Sequence, residues 1–159
     1  MKRILAAGLV TLGMFAVTTT AYSGGHAKLE KPIKARQAAM TLYSFNIGIL
    51  AAMVKGEAEY DAKAAEAAAK DLLSAASLEN GAAMWPQGSD SEAFPGVTRA
   101  KKEIWTTYPA VVEKSKAMKE AATAMVAAAG GGLDSLKGAL GPVGGACKGC
   151  HDDFRAPKN

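Results

Sequence analysis

The sequence predicts an all-α fold, an antiparallel four-helix bundle, and three observations carry that expectation. Hydrophobic residues make up 49% of the 159 residues but aromatics only 6%, and much of the apolar share is alanine, the strongest helix former. Apolar residues recur at spacings of three, four and seven, while the strict alternation of a half-buried strand is missing. Stop signals such as Gly56 and the triple glycine Gly130 to Gly132 cut the periodic stretches into helix-sized pieces with mostly short connections. A chain of this length fills one domain with a sizeable core, and two domains would be cramped.

Residues 1–23 read as a secretory signal peptide. Lys2 and Arg3 form a basic start, Ile4 to Val17 an apolar run, and "TTTAYSGG" a small-residue zone with cleavage near Ala21 or Ser23. The apolar run is shorter than the roughly 20 residues a membrane span needs. The expectation is therefore a periplasmic domain over 24–159 with no membrane span after signal removal. Its first helix opens near Pro32, whose missing N–H costs nothing in an opening turn. Ile33, Met40, Tyr43, Ile47, Leu50 and Val54 then mark one face, and Gly56 is the expected stop.

"YDAKAAEAAAKDLLSAASL" predicts the second helix, with Asp61 as N-cap and Leu72, Leu73 and Leu78 near its end. The stretch "ENGAAMWPQGSDSEAFPGVT" that follows is a long loop, and a loop of that length in a compact domain is functional or packed on its own side chains. Met84, Trp85, Phe94 and Pro95 suit a segment that folds back over something apolar. The third helix starts around Tyr108 and Pro109, capped by Thr106 or Thr107, and Met118 and Met125 on it are core candidates. The fourth carries Leu133, Leu136, Leu140, Val143, Cys147, Cys150 and Phe154 at helical spacing. Gly141, Pro142, Gly144 and Gly145 predict a kink within it.

Charge narrows the function. The whole chain is +4, and loss of Lys2 and Arg3 leaves the mature domain near +2, with no basic cluster interleaved with aromatics. That excludes a nucleic-acid footprint. The chemistry concentrates in "CKGCH", Cys147 to His151, which holds both cysteines of the chain. A structural zinc site needs about four ligands, and the other histidine, His26, lies at the start of the mature chain. A thiol–disulfide oxidoreductase places its C-x-x-C at the opening of a helix after a strand, whereas this pair lies late in the last helix. A disulfide closing so short a loop adds little.

C-x-x-C-H is instead the attachment signal for c-type haem. On a helix, Cys147 and Cys150 share a face about a turn apart, so both sulfurs can bond one side of a porphyrin. His151 follows directly as an axial iron ligand. The cofactor expected is one haem c, held by two thioethers.

With "ARQAAM" in the first helix, "KGEAEYDA", "FPGVTRAKKEIW" and the late "ACKGCHDDFR", the chain resembles a class II c-type cytochrome, of the cytochrome c′ superfamily. The resemblance covers essentially the whole mature chain. It implies a four-helix bundle with Cys147 and Cys150 as thioether attachments and His151 as proximal ligand. It further implies that Arg36 and Gln37 lie at the haem edge, with Arg36 paired to a propionate, that Arg99 approaches the haem, and that Arg155 lies beside the proximal face. Met40 takes the position facing the distal side. In the low-spin branch a methionine there binds iron, and "RQAAM" with the "KGEAEYDA…EIW" stretch looks more like that branch. The expectation is a non-enzymatic, His/Met-ligated electron-transfer protein that meets protein redox partners transiently, as a monomer or a homodimer. The alternative is a five-coordinate, high-spin cytochrome c′ that binds nitric oxide or carbon monoxide.

Overall fold

The computed structural model describes residues 23–78 and 81–158. The expected signal peptide lies outside the described residues apart from Ser23, the first residue of α1. That helix spans Ser23–Lys55, α2 Ala62–Ala76, α3 Glu103–Thr106, α4 Tyr108–Ala129 and α5 Leu133–Phe154, with a 3-10 turn at Gly81–Met84 between α2 and α3. Among the described residues the extended structure is a single bridge, Ala100 opposite Arg155.

α1 begins upstream of the proline expected to open it, and Pro32 sits inside the helix. A proline removes one helical donor and crowds the carbonyl of Lys28, but the neighbouring bonds of the same turn carry the helix through. Its other end is as expected. Gly56 adopts φ +75°, its N–H donates to the Met53 carbonyl, and the Glu57 N–H reaches back to Ala52 at 2.9 Å. This pair of bonds satisfies carbonyls that the helix end would leave bare.

Asp61 caps α2 as expected, its carboxylate accepting from the Ala64 N–H at 3.0 Å. α2 buries Ala65, Ala68, Ala69, Leu72 and Ala75, and these short side chains let α1 and α4 approach closely. Leu78 falls beyond the helix and is exposed. Thr107 is the residue before α4, but its hydroxyl donates back to Glu103 instead of capping. The short α3 was not expected; it turns the chain so that Ile104 is buried. α5 is helical without a break through Pro142.

The four long helices pack in a ring, in the order α1, α2, α4, α5 and back to α1. Tyr60, just before α2, donates to Ala129 at the end of α4 at 2.8 Å. Lys114 near the start of α4 pairs with Asp153 near the end of α5 at 2.9 Å. Tyr43, just past the middle of α1, meets Ala75 at the end of α2. The bundle is therefore antiparallel, as its short connections predicted.

The core gathers Leu50 and Met53 of α1, the α2 face, Met118, Ala122 and Met125 of α4, and Leu136 and Val143 of α5. Fully burying a leucine such as Leu136 contributes about 1.5–3 kcal/mol. By length and composition Ala27–Lys55 would also satisfy a membrane span. In the bundle it packs on α2 and α5 and buries the polar Arg36 and Asn46. The α1 stop can be tested in isolation, because a side chain at Gly56 meets open space. Gly56→Ala should then cost only the left-handed backbone term, about 1 kcal/mol, read as a lower urea midpoint with unchanged slope.

Candidate haem-binding site

Cys147, Cys150 and His151 lie on the last turns of α5, where spacing on one helix brings the three side chains to a single face. Both thiols are free and half-buried, and Cys147 packs on the core cluster. Burial pushes both thiols above their ordinary range, with Lys114 opposing this at Cys150. Redox-active thiols need the opposite shift, so a thiol–disulfide site is a poor match. Among the described residues no three His, Cys, Asp or Glu side chains gather as a metal cluster.

His151 is half-buried, and its pKa is lowered by burial first, then by Arg155 and Arg99, with Asp152 opposing. A neutral imidazole keeps a lone pair for a metal. The terminal guanidinium of Arg155 stands 3.4 Å from His151 Nδ1. Across from the thiols, Tyr43 of α1 has its phenol pKa raised by burial and then by Cys147 and Cys150. Paired thiols, a neutral imidazole and flanking cations able to face carboxylates together fit a covalently held iron porphyrin.

Arg36 is placed differently from the propionate partner expected of it. Arg36 is 3% exposed, and its guanidinium is spent on the long loop. One terminal nitrogen donates to Ser89 Oγ at 2.7 Å and to the Met84 carbonyl at 3.2 Å. The other donates to the Ser89 carbonyl and to Thr98 Oγ1 at 3.1 Å. Trp85 lies against it, 4.7 Å from ring centroid to guanidinium, and that ring is 6.4 Å from Trp105. Desolvation lowers the Arg36 pKa to about 10, with Asp90 opposing.

Gln37 donates to the Val97 carbonyl at 2.7 Å, and Arg99 Nε donates to the Ala156 carbonyl at 2.7 Å. Arg99 thus comes beside His151, while Arg36 and Gln37 serve the loop. Met40, one helical turn beyond Arg36, is 41% exposed. Ser89, Thr98 and Lys114 were not anticipated. The available signal was an arginine on the apolar face of α1, which needs acceptors, and a Ser/Thr-bearing loop long enough to supply them.

The family model "Cytochrome C′" matches residues 31–155. A cytochrome c′ from Cereibacter sphaeroides is 38% identical over 158 residues, covering 99% of this chain and 100% of the relative. The solved cytochrome c′ from Rhodobacter sphaeroides superposes with a TM-score of 0.78 at 39% identity, over 82% of this chain and 98% of that one. A ferrous variant of cytochrome c prime from Alcaligenes xylosoxidans with bound NO gives 0.72 at 34%, over 83% and 98%. These matches overturn the expected low-spin, His/Met-ligated electron carrier: the relatives matched here are named cytochromes c′, which favours the alternative reading. The sequence argument rested on Met40, and a methionine on that helix face is compatible with either branch.

The Arg36 cage has its own test. Arg36→Met keeps the unbranched apolar stem of the side chain but leaves the Met84 and Ser89 carbonyls unpaired. It should cost about 3 kcal/mol and free the Trp85 ring, read as a lower denaturation midpoint and red-shifted tryptophan emission.

Proposed function

This chain belongs to the cytochrome c′ family, whose members carry covalently attached haem c, and we propose that it is a periplasmic protein binding nitric oxide or carbon monoxide at five-coordinate iron. In this reading Cys147 and Cys150 form the two thioethers and His151 is the single protein ligand. Arg99 and Arg155 supply positive charge on the His151 side, and Met40 stands over the opposite face without ligating. When bound, the haem supplies the open metal position that a diatomic occupies. The role is binding and not turnover, so no residue is assigned to catalysis.

The observation that carries the reading is similarity to cytochromes c′ over nearly the full chain, joined to a structure in which two free thiols and His151 share one helix face. Support for gas as the ligand comes from the relative with bound NO. Support for export comes from the sequence of residues 1–23.

The reduced visible spectrum with and without carbon monoxide tests this directly. Broad high-spin bands that shift on adding the gas are expected; sharp α and β bands indifferent to it would overturn the reading. Met40→Ala should leave the spin state unchanged and speed carbon monoxide association severalfold by clearing the distal face.

The reading includes a homodimer. On the outer side of α1, Leu42 is 52% and Phe45 64% exposed, side chains that a second copy would cover. Phe45→Glu should move the protein from dimer to monomer in sedimentation, with its visible spectrum unaltered.

A further inference from the structure

Residues 97–101 join two parts of the fold that the helices leave separate. On one side they are held by α1, through Gln37 to the Val97 carbonyl at 2.7 Å and Arg36 to Thr98 Oγ1 at 3.1 Å. On the other they pair with the end of α5. Lys101 N–H donates to the Phe154 carbonyl at 3.0 Å and Ala156 N–H to the Arg99 carbonyl at 2.8 Å. Arg99 Nε adds its bond to Ala156, and Lys101 Nζ donates to the Asp153 carbonyl at 2.9 Å. The residues paired this way, 153–156, begin two positions after His151.

Thr98 is the joint between the two sides. Its hydroxyl oxygen accepts from Arg36 and from its own neighbour's backbone, the Ala100 N–H at 3.2 Å. The second bond folds 98–100 into the shape that presents Arg99 and Lys101 to α5. Thr98 is buried, so neither bond is readily exchanged for water. A ligand held by one helix turn is oriented by whatever holds that turn, and such outer contacts tune a metal.

We propose that Thr98 is a positioning residue for His151: its hydroxyl locks residues 97–101 between Arg36 of α1 and residues 153–156 of α5, so that the helix opposite the thiols and the histidine turn move as one unit. Arg36 and Met40 are one turn apart on α1, so the strap links the two faces of the haem without passing through it. The proposal rests on the haem reading above but not on the coordination number of the iron.

The test compares holoproteins carrying Thr98→Val, which keeps the shape and loses the hydroxyl, and Thr98→Ser, which keeps the hydroxyl. Hydrogen exchange at the Lys101 and Ala156 amides should quicken about tenfold in the valine variant. Its ferric/ferrous equilibrium, read by spectroelectrochemistry, should change at least about twofold. The serine variant should match the unsubstituted protein on both. Where the valine variant does not accumulate, Thr98→Ala, which leaves room for a water, gives the same two readouts. Unchanged exchange, or faster exchange with an unchanged potential, would overturn the proposal, the second by leaving Thr98 a purely structural role. A carbon monoxide titration of the unsubstituted protein is read separately: indifference to the gas defeats the functional reading, while exchange and potential still judge the strap.

Discussion

A buried guanidinium held by loop carbonyls and hydroxyls shapes much of this molecule. Arg36 lies on the inward face of α1, where burying a charge is costly unless every donor is matched. Among the described residues no carboxylate is bonded to it; carbonyls and hydroxyls of the long loop are. That requirement makes the loop an ordered part of the fold. It brings Trp85 against the guanidinium, sets Trp105 to donate to the Trp85 carbonyl at 2.8 Å, and carries Phe94 into a buried position. It also leaves residues 97–101 alongside the end of α5.

The helix that bears the candidate site is weak by composition and is held at its ends. Gly138, Gly141, Gly144 and Gly145 have open space around them, and glycine lowers helix stability at each position. At its start, Gly132 takes φ +104° and donates to the Tyr60 hydroxyl at 3.0 Å, fixing the turn from α4. At its end, the bonds to residues 99–101 and the Lys114–Asp153 pair hold the final turn. Between them, Leu136 and Val143 are fully buried, which offsets the poor propensity. The cysteines and His151 sit at the restrained end.

Much of the site was legible without coordinates because the chemistry is local. The C-x-x-C-H spacing on a helix places two sulfurs and an imidazole on one face whatever surrounds them. Asp61 and Gly56 were equally legible, since a cap and a left-handed stop depend on a few neighbouring residues. The partners of Arg36 were not: Ser89 and Thr98 are 53 and 62 residues away in sequence, and nothing local connects them. The electron-carrier reading drawn from Met40 failed for a related reason. Whether a sulfur binds iron depends on reach and orientation across the bundle, and sequence position supplies neither.

The sequence by itself determined the helical class, the helix boundaries at Asp61 and Gly56, and the candidate haem-attachment segment, because periodicity, capping and short-range spacing are properties of contiguous residues. Only the tertiary structure decided what the buried arginine holds, which segment clamps the histidine turn, and that α1 continues through Pro32. Each of these depends on contacts between distant segments, or on a balance of bonds along a whole helix, and their energies exist only once the chain has folded.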